Sequence, residues 1–188
     1  DLLVERDFGQ ALKMAKHINE YNEQRKDIDK QMTEEANLIV SRLETQKHNS
    51  SIVLYDEGWK KGVIGIVASR LTEIYFRPTV VLTRDGDLAT GSARSVTGFD
   101  VYSAIKSCRD LLINFGGHTY ACGLTMKWEN VKEFRDRFHQ YVAEHIAPEQ
   151  TEAMLNIDAM IDFKDITKQL HSDLKKFSPF GPCNSKPV

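Results

Sequence analysis

This sequence lacks paired cysteines, long apolar runs and an excess of one charge. Its three cysteines form no close pair, so neither a disulfide framework nor a zinc site is predicted, and a reducing, cytoplasmic location is expected. There is no apolar run of about 18 residues and no signal peptide, so no membrane partner is expected. The formal net charge of -2 over 188 residues gives no general affinity for polyanions.

Positive charge and glycine are concentrated in the middle of the chain. Residues 58–128 carry nine Lys/Arg and five Asp/Glu, an excess of +4 that leaves -6 for the remainder. Nine of the eleven glycines lie between positions 58 and 123, which places the tight turns of the fold there. The basic excess favours an anionic ligand in this region, although an excess of this size is also common without one.

Apolar periodicity predicts an α/β domain, with a mixed β-sheet flanked by helices, after a long connecting α-helix. That helix covers residues 10–45, with apolar ends and a polar stretch over 19–27. The pattern suits either a connector packed on two bodies or an amphipathic helix on one core. The order that follows is β-α-β-β-α-β-α-β-α. The predicted strands are 51–55, 78–83, 88–93, 120–126 and 155–161, and the predicted helices are one beginning near Gly62 and those over 102–112, 131–146 and 166–177.

Two glycine-containing motifs are candidate anion sites. In Phe115-Gly116-Gly117-His118, unobstructed backbone N–H groups can hold an anion, and the imidazole adds a titratable contact; the alternative is a plain turn into the next strand. Gly91-Ser92-Ala93-Arg94-Ser95 places two hydroxyls around a guanidinium, whose planar fork suits phosphate; the alternative is a strand end with a solvated arginine. His118 has no partner at metal-ligand spacing, so no metal site is predicted.

A third candidate is Trp59-Lys60-Lys61-Gly62, directly before a predicted helix. Free N–H groups and the dipole at a helix start favour an anion. Lys60 and Lys61 could meet phosphates, and Trp59 could stack on a base. The alternative is that Trp59 is a core or rim residue.

Other charged and titratable side chains are expected at the surface. Arg25 and Lys26 lie beside Asp27 and Asp29 in a mixed-charge cluster that is typical of a solvated helix face. The remaining histidines stand in polar contexts and are expected to be solvated. They are His17, His48, His139, His145 and His171.

Several segments, in this order and at this spacing, together resemble the RecJ family of exonucleases in the DHH phosphoesterase superfamily. The resemblance is to the DHH-associated domain of that family, and the tail resembles the entry into its oligonucleotide-binding barrel. The first helix, with Asn22 and Arg25, resembles the helix that joins the DHH domain to this domain. The segments are residues 62–71, Arg77-Pro78, 91–95, Gly98-Phe99-Asp100, 115–118 with Gly123, and 179–184.

The resemblance implies a function that this chain would share with a missing domain. RecJ enzymes remove nucleotides 5′→3′ from single-stranded DNA with Mn²⁺ or Mg²⁺ held by an Asp-His-His signature, which this sequence lacks. The chain would then supply substrate binding in DNA repair and recombination, bind no metal itself, and be inactive alone. His118, with Gly116 and Gly117, would face the scissile phosphate, and Ser92 and Arg94 would hold the 5′-terminal or neighbouring phosphate. Ser95 would also belong to the phosphate-binding residues.

The resemblance also divides the chain. Residues 1–48 would be the end of the DHH domain and the connecting helix, 49–177 the DHH-associated substrate-binding domain, and 178–188 a linker toward a missing barrel. The first residue is Asp1 rather than Met, which fits a piece of a longer protein. One departure is Lys60, which stands where the family commonly has His.

Two other functions remain open at this point. One is a phosphodiesterase of the same superfamily that acts on short oligonucleotides or cyclic dinucleotides. The other is a non-catalytic nucleic-acid-binding module. Single-stranded DNA is the expected partner, and a single-strand-binding protein or a helicase is an expectation of the family alone.

Overall fold

The computed structural model describes residues 2–44, 50–155, 157–181 and 184–188. The chain divides into a unit that ends at Glu152 and a second unit, Ala153–Val188. Within the described ranges no helix is long and apolar enough to cross a membrane. The helices are α1 Phe8–Glu44, α2 Ile64–Tyr75, α3 Val101–Ser107, α4 Val131–His145 and α5 Lys168–Lys175, and the strands are β1 Ile52–Asp56, β2 Thr79–Asp85, β3 Leu88–Arg94, β4 Leu112–His118 and β5 Ala121–Lys127.

The first unit is built on one mixed five-stranded sheet, as predicted. The strand order is β1-β2-β3-β5-β4. β1 and β2 are parallel because α2 carries the chain back between them, and the remaining neighbours are antiparallel. Gly86, at φ 61°, takes the left-handed conformation that the β2–β3 turn requires.

The two faces of the sheet differ in what covers them. One face buries apolar residues of β2, β3 and β5 against α3 and α4, with Phe134 and Phe138 fully buried. The other face is covered over β1 and β2 by α2 and by the C-terminal half of α1, and α2 also lies against β3. Over β3, β5 and β4 that second face carries small and polar side chains that are half-buried or exposed. We call this surface the open face, and define it by Ser92, Arg94, Gly116, His118, Ala121 and Gly123.

The two halves of α1 have different surroundings. Met32, Ala36 and Val40 in the C-terminal half are buried against α2 and the sheet. Phe8 and Ile18 in the N-terminal half are exposed. Within the described residues, the helix therefore contributes one end to this core and leaves apolar side chains in solvent at the other.

Two secondary-structure predictions were wrong. The helix predicted over 102–112 ends at Ser107, and Leu112–His118 form an edge strand rather than a turn. Glycine is disfavoured in strands, so the sequence pattern at Gly116 and Gly117 did not predict a strand. The described residues of 155–161 form no strand, and their large apolar side chains, such as Met160, are exposed.

Some predictions fall on positions that the structure leaves out. The predicted helix end at Thr45, the histidine at His48 and the division between residues 48 and 49 lie outside the described residues, as do Pro182 and Cys183 of the tail.

Candidate nucleic-acid interface

The sheet brings the two glycine motifs of the sequence side by side. Arg94 on β3 pairs with Ala121 on β5, and Ala121 pairs with His118 on β4. Directly paired residues of antiparallel strands point to the same face. Arg94 and His118 therefore stand on the same face with one small residue between them. A second row, Ser92, Gly123 and Gly116, lies two residues along the strands.

Arg94 is held in place by neutral groups. Its Nε donates to Ser69 Oγ at 3.1 Å, and its Nη1 donates to Ser92 Oγ and to the Ala93 carbonyl, both at 2.8 Å. Across the ranges that the structure describes, no carboxylate pairs with this guanidinium, and Nη2 makes no hydrogen bond. Partial burial lowers the pKa of Arg94 from its ordinary value, but the group remains charged near neutral pH. A half-buried cation without an anionic partner is suited to an anionic ligand.

The first turn of α2 lies directly against this guanidinium. No side chain caps the start of the helix, and the Ile64 and Ile66 N–H groups donate to the carbonyls of Lys60 and Val63. The helix dipole nevertheless favours negative charge near this end. A Cβ added at Gly65 would stand 3.0 Å from Arg94 Nη2 and 3.1 Å from Ser92 Oγ. Glycine at this position allows the helix to approach both polar groups. Lys60 and Lys61, just before the helix, are exposed.

The two adjacent glycines of β4 have different roles. A Cβ at Gly116 would meet nothing within 4 Å, so this position leaves the backbone of the open face accessible. Gly117 has φ 155°, and a Cβ there would lie 2.1 Å from the Ala121 carbonyl oxygen. Gly117 is therefore required for the hairpin, whereas Gly116 determines the shape of the surface.

The hairpin also sets the hydrogen-bonding state of His118. The Tyr120 N–H donates to His118 Nδ1 at 3.3 Å. An imidazole that accepts at Nδ1 carries its proton on Nε2 when neutral, so Nε2 is a donor. The hairpin tip is fixed by the N–H of Ser95, which donates to the Tyr120 carbonyl, and by that of Val101, which donates to the Thr119 carbonyl, both at 3.0 Å. The exposed ring of His118 thus stands on an anchored turn.

Two residues that the sequence predicted to bind nucleic acid make hydrogen bonds within the fold. Trp59 is only 4% exposed, and its Nε1 donates to Glu35 Oε2 at 3.1 Å. This burial contradicts the expected stacking of Trp59 on a base. Ser95 donates its hydroxyl proton to the Phe99 carbonyl at 2.7 Å, which ties down the loop after β3. Gly62 stands in open space before α2.

Sequence reasoning missed Ser69, which the fold places against Arg94. A lone serine inside a helix gives no signal of such a role, because its partner is 25 positions away. The structure also gives no metal centre in its described part, where no three His, Cys, Asp or Glu side chains are grouped to hold an ion. The residues of the open face do not fit the ligand set of a two-metal phosphodiesterase.

Comparison with known proteins places this chain in a family. The DHHA1 domain family matches residues 35–144, and the chain belongs to this family. RecJ exonucleases match it along its whole length. The chain is 35% identical to the single-stranded-DNA-specific exonuclease RecJ of Bacillus subtilis (strain 168) over 188 residues, which are 99% of this chain and 24% of that protein.

Solved structures agree with this assignment. The crystal structure of RecJ in complex with Mg²⁺ from Thermus thermophilus has a TM-score of 0.84 and 25% identity, over 99% of this chain and 28% of that one. The Mn²⁺ complex from the same organism has a TM-score of 0.79 and 27% identity, over 98% of this chain and 27% of that one. The chain thus spans about a quarter of the length of these relatives. Divalent metal is a feature of these full-length relatives.

Proposed function

We propose that this chain is the substrate-binding part of a RecJ-like 5′→3′ exonuclease for single-stranded DNA. The observation that carries the proposal is the pairing of Arg94 and His118 across one strand of the open face. An unpaired cation and an N–H donor on one accessible surface suit a chain of phosphates. The Mg²⁺ or Mn²⁺ of such an enzyme would be held by a DHH domain, since the described residues here group no metal ligands.

The geometry suggests that Arg94 and His118 hold different phosphates. Their strands are separated by β5, and neighbouring strands lie about 4.8 Å apart, so their backbones are about 9.6 Å apart. We assign His118 to the scissile phosphate and Arg94 to the 5′-terminal or neighbouring phosphate. Ser92 supports Arg94, because its Oγ accepts from Nη1 and keeps its own proton free to donate to a phosphate oxygen.

The groups of this chain would act by position and charge. His118 Nε2 would donate a hydrogen bond to a phosphoryl oxygen and stabilise charge that develops in the transition state. Gly116 and Gly123 would let the DNA backbone come close to the sheet. Lys60 and Lys61 would add positive charge beside the first turn of α2. The metal ions would supply the activated water and the charge neutralisation of hydrolysis.

The remaining functional assignments depend on the full-length protein. Residues 1–48 would join this domain to the DHH domain, and the exposed apolar side chains in the N-terminal half of α1, such as Phe8, would pack against that domain. Residues 178–188 would lead to a further domain. A role in DNA repair and recombination, and a single-strand-binding protein or helicase as partner, would follow from the resemblance, and a cytoplasmic location would fit cysteines that form no close pair in the sequence.

The proposal is tested by nuclease assays on the full-length protein. We expect Arg94→Ala to raise KM, and His118→Ala to lower kcat more than it raises KM, because only the latter contact strengthens in the transition state. Arg109→Ala, which removes an exposed arginine outside the open face, is the control. Substrates are 5′-phosphorylated single-stranded DNA, dinucleotides and a cyclic dinucleotide.

The outcomes separate the three functions. Removal of nucleotides from the 5′ end of single-stranded DNA, impaired by both variants, supports the RecJ-like function. Turnover of dinucleotides or cyclic dinucleotides alone would replace it with the short-substrate phosphodiesterase. Binding without hydrolysis in the presence of Mn²⁺ or Mg²⁺ would show a non-catalytic module.

A further inference from the structure

Ser69 links α2 to the guanidinium of Arg94. Its Oγ donates to the Gly65 carbonyl at 3.1 Å, one turn earlier in the helix. The same oxygen accepts from Arg94 Nε at 3.1 Å. A serine hydroxyl has one proton, and this proton is used in the bond to the Gly65 carbonyl. Toward Arg94 the oxygen can therefore act only as an acceptor. This hydroxyl therefore presents a fixed acceptor to Arg94.

The contacts of the guanidinium come from two separate elements. Nε is held by the helix through Ser69, and Nη1 is held by the strand through Ser92 and Ala93. A planar group that is held at both of these nitrogens cannot turn about its last torsions. Nη2 then points in one direction, beside the first turn of α2 at Gly65. An arginine ordered in this way loses less conformational entropy when it binds phosphate.

We propose that Ser69 is a positioning residue that fixes the guanidinium of Arg94 for phosphate binding. This inference rests on the proposed function, in which Arg94 holds a phosphate of the DNA strand. Ser69 itself touches no substrate, and its effect passes entirely through Arg94.

Thr72 offers a matched control on the same helix. Its hydroxyl donates to the Ala68 carbonyl at 2.9 Å, which is the same contact with the preceding turn that Ser69 makes. Thr72 forms no hydrogen bond with Arg94. Ser69→Ala and Thr72→Val each remove one such hydroxyl from α2, and only Ser69→Ala removes the bond to Arg94.

The first test is a nuclear magnetic resonance signature of Arg94 in the ¹⁵N-labelled 188-residue chain. The Nε–H signal is assigned by its loss in Arg94→Ala. We expect Ser69→Ala to speed exchange of this proton with water about fivefold, as loss of one hydrogen bond would do. Thr72→Val should leave the rate unchanged, and Ser69→Thr should restore it. An unchanged rate in Ser69→Ala, or an equal increase in Thr72→Val, would overturn the proposal.

The second test measures binding in the full-length protein, with 5′-phosphorylated single-stranded DNA and EDTA to prevent hydrolysis. We expect Ser69→Ala to weaken binding about fivefold in the wild-type background and to have no effect in the Arg94→Ala background, because coupled residues are not additive. Equal effects in both backgrounds would refute a role through Arg94. If Arg94→Ala leaves binding unchanged, the proposed function fails at this residue, whereas the exchange measurement still decides whether Ser69 orders the guanidinium.

Discussion

His139 makes the stability of the fold depend on pH in a predictable direction. Its Nδ1 lies 2.6 Å from Ser51 Oγ, a contact that joins α4 to the start of β1. Burial lowers the pKa of His139 from 6.5 to about 4, with a smaller contribution from Arg135, while Asp136 opposes the shift. The neutral ring is therefore the form that the folded state stabilises.

The magnitude follows from the difference between the two states. The folded pKa is about 2.5 below the unfolded value, and each pKa unit corresponds to about 1.36 kcal/mol, or ~3.4 kcal/mol in total. Because His139 keeps some contact with solvent, we reduce this to about 2 kcal/mol. The contribution is fully present above pH 6.5 and is lost as the pH falls toward 4, because the unfolded chain binds the proton first.

The test compares urea unfolding at about pH 7.5 and about pH 4.5 for the wild type and His139→Gln, which removes the titrating group. We expect the wild type to lose about 2 kcal/mol more than the variant over this range. Gln140→Ala, an exposed substitution on the same helix that changes no titrating group, should follow the wild type. Parallel pH profiles for the wild type and His139→Gln would refute the burial argument.

Further predictions concern stability and surface shape. Gly117→Ala should destabilise the fold by more than about 2 kcal/mol in urea unfolding because its Cβ meets backbone, whereas Gly116→Ala should change stability by less than about 1 kcal/mol and still weaken DNA binding. Asp29 is 3% exposed and pairs with Arg70 at 2.6 Å. Arg70→Met should therefore cost about 3 kcal/mol in the same assay, more than Asp29→Asn, since only the former leaves a buried charge unpaired. Trp59→Ala should lower the free energy of unfolding by about 3 kcal/mol or more. A much smaller loss of stability would contradict a core role and favour a role of Trp59 in binding.

Local patterns in the sequence were sufficient for most of the fold. Each of these features depends on residues that are close together in the sequence. They are the apolar periodicity of α1, the turn between β2 and β3 at Gly86, and the apolar face of α4. The long helix, the mixed sheet and the order of elements along the chain up to β3 therefore agree with prediction. Asp100 caps the start of α3 through another local contact, because its side chain accepts from the Tyr102 and Ser103 N–H groups.

Contacts between residues that are far apart in the sequence could not be predicted from local patterns. Asp29 was predicted to be solvated, but it is buried and pairs with Arg70, which is 41 positions away. His139 was likewise expected in solvent, but its partner Ser51 is 88 positions away. The open face could not be predicted for the same reason. Arg94 and His118 lie close together only because their strands, β3 and β4, both pair with β5.

The measurement that tests the central claim most directly is fluorescence anisotropy of the 188-residue chain with 5′-phosphorylated and 5′-hydroxyl single-stranded DNA over a salt series. We expect binding that prefers the 5′-phosphate and weakens with salt. Arg94→Ala should reduce both the preference and the salt slope, the latter by about one phosphate. Arg109→Ala should leave the 5′-phosphate preference intact. An unchanged preference and slope in Arg94→Ala would contradict the assignment of the open face as the phosphate-binding surface.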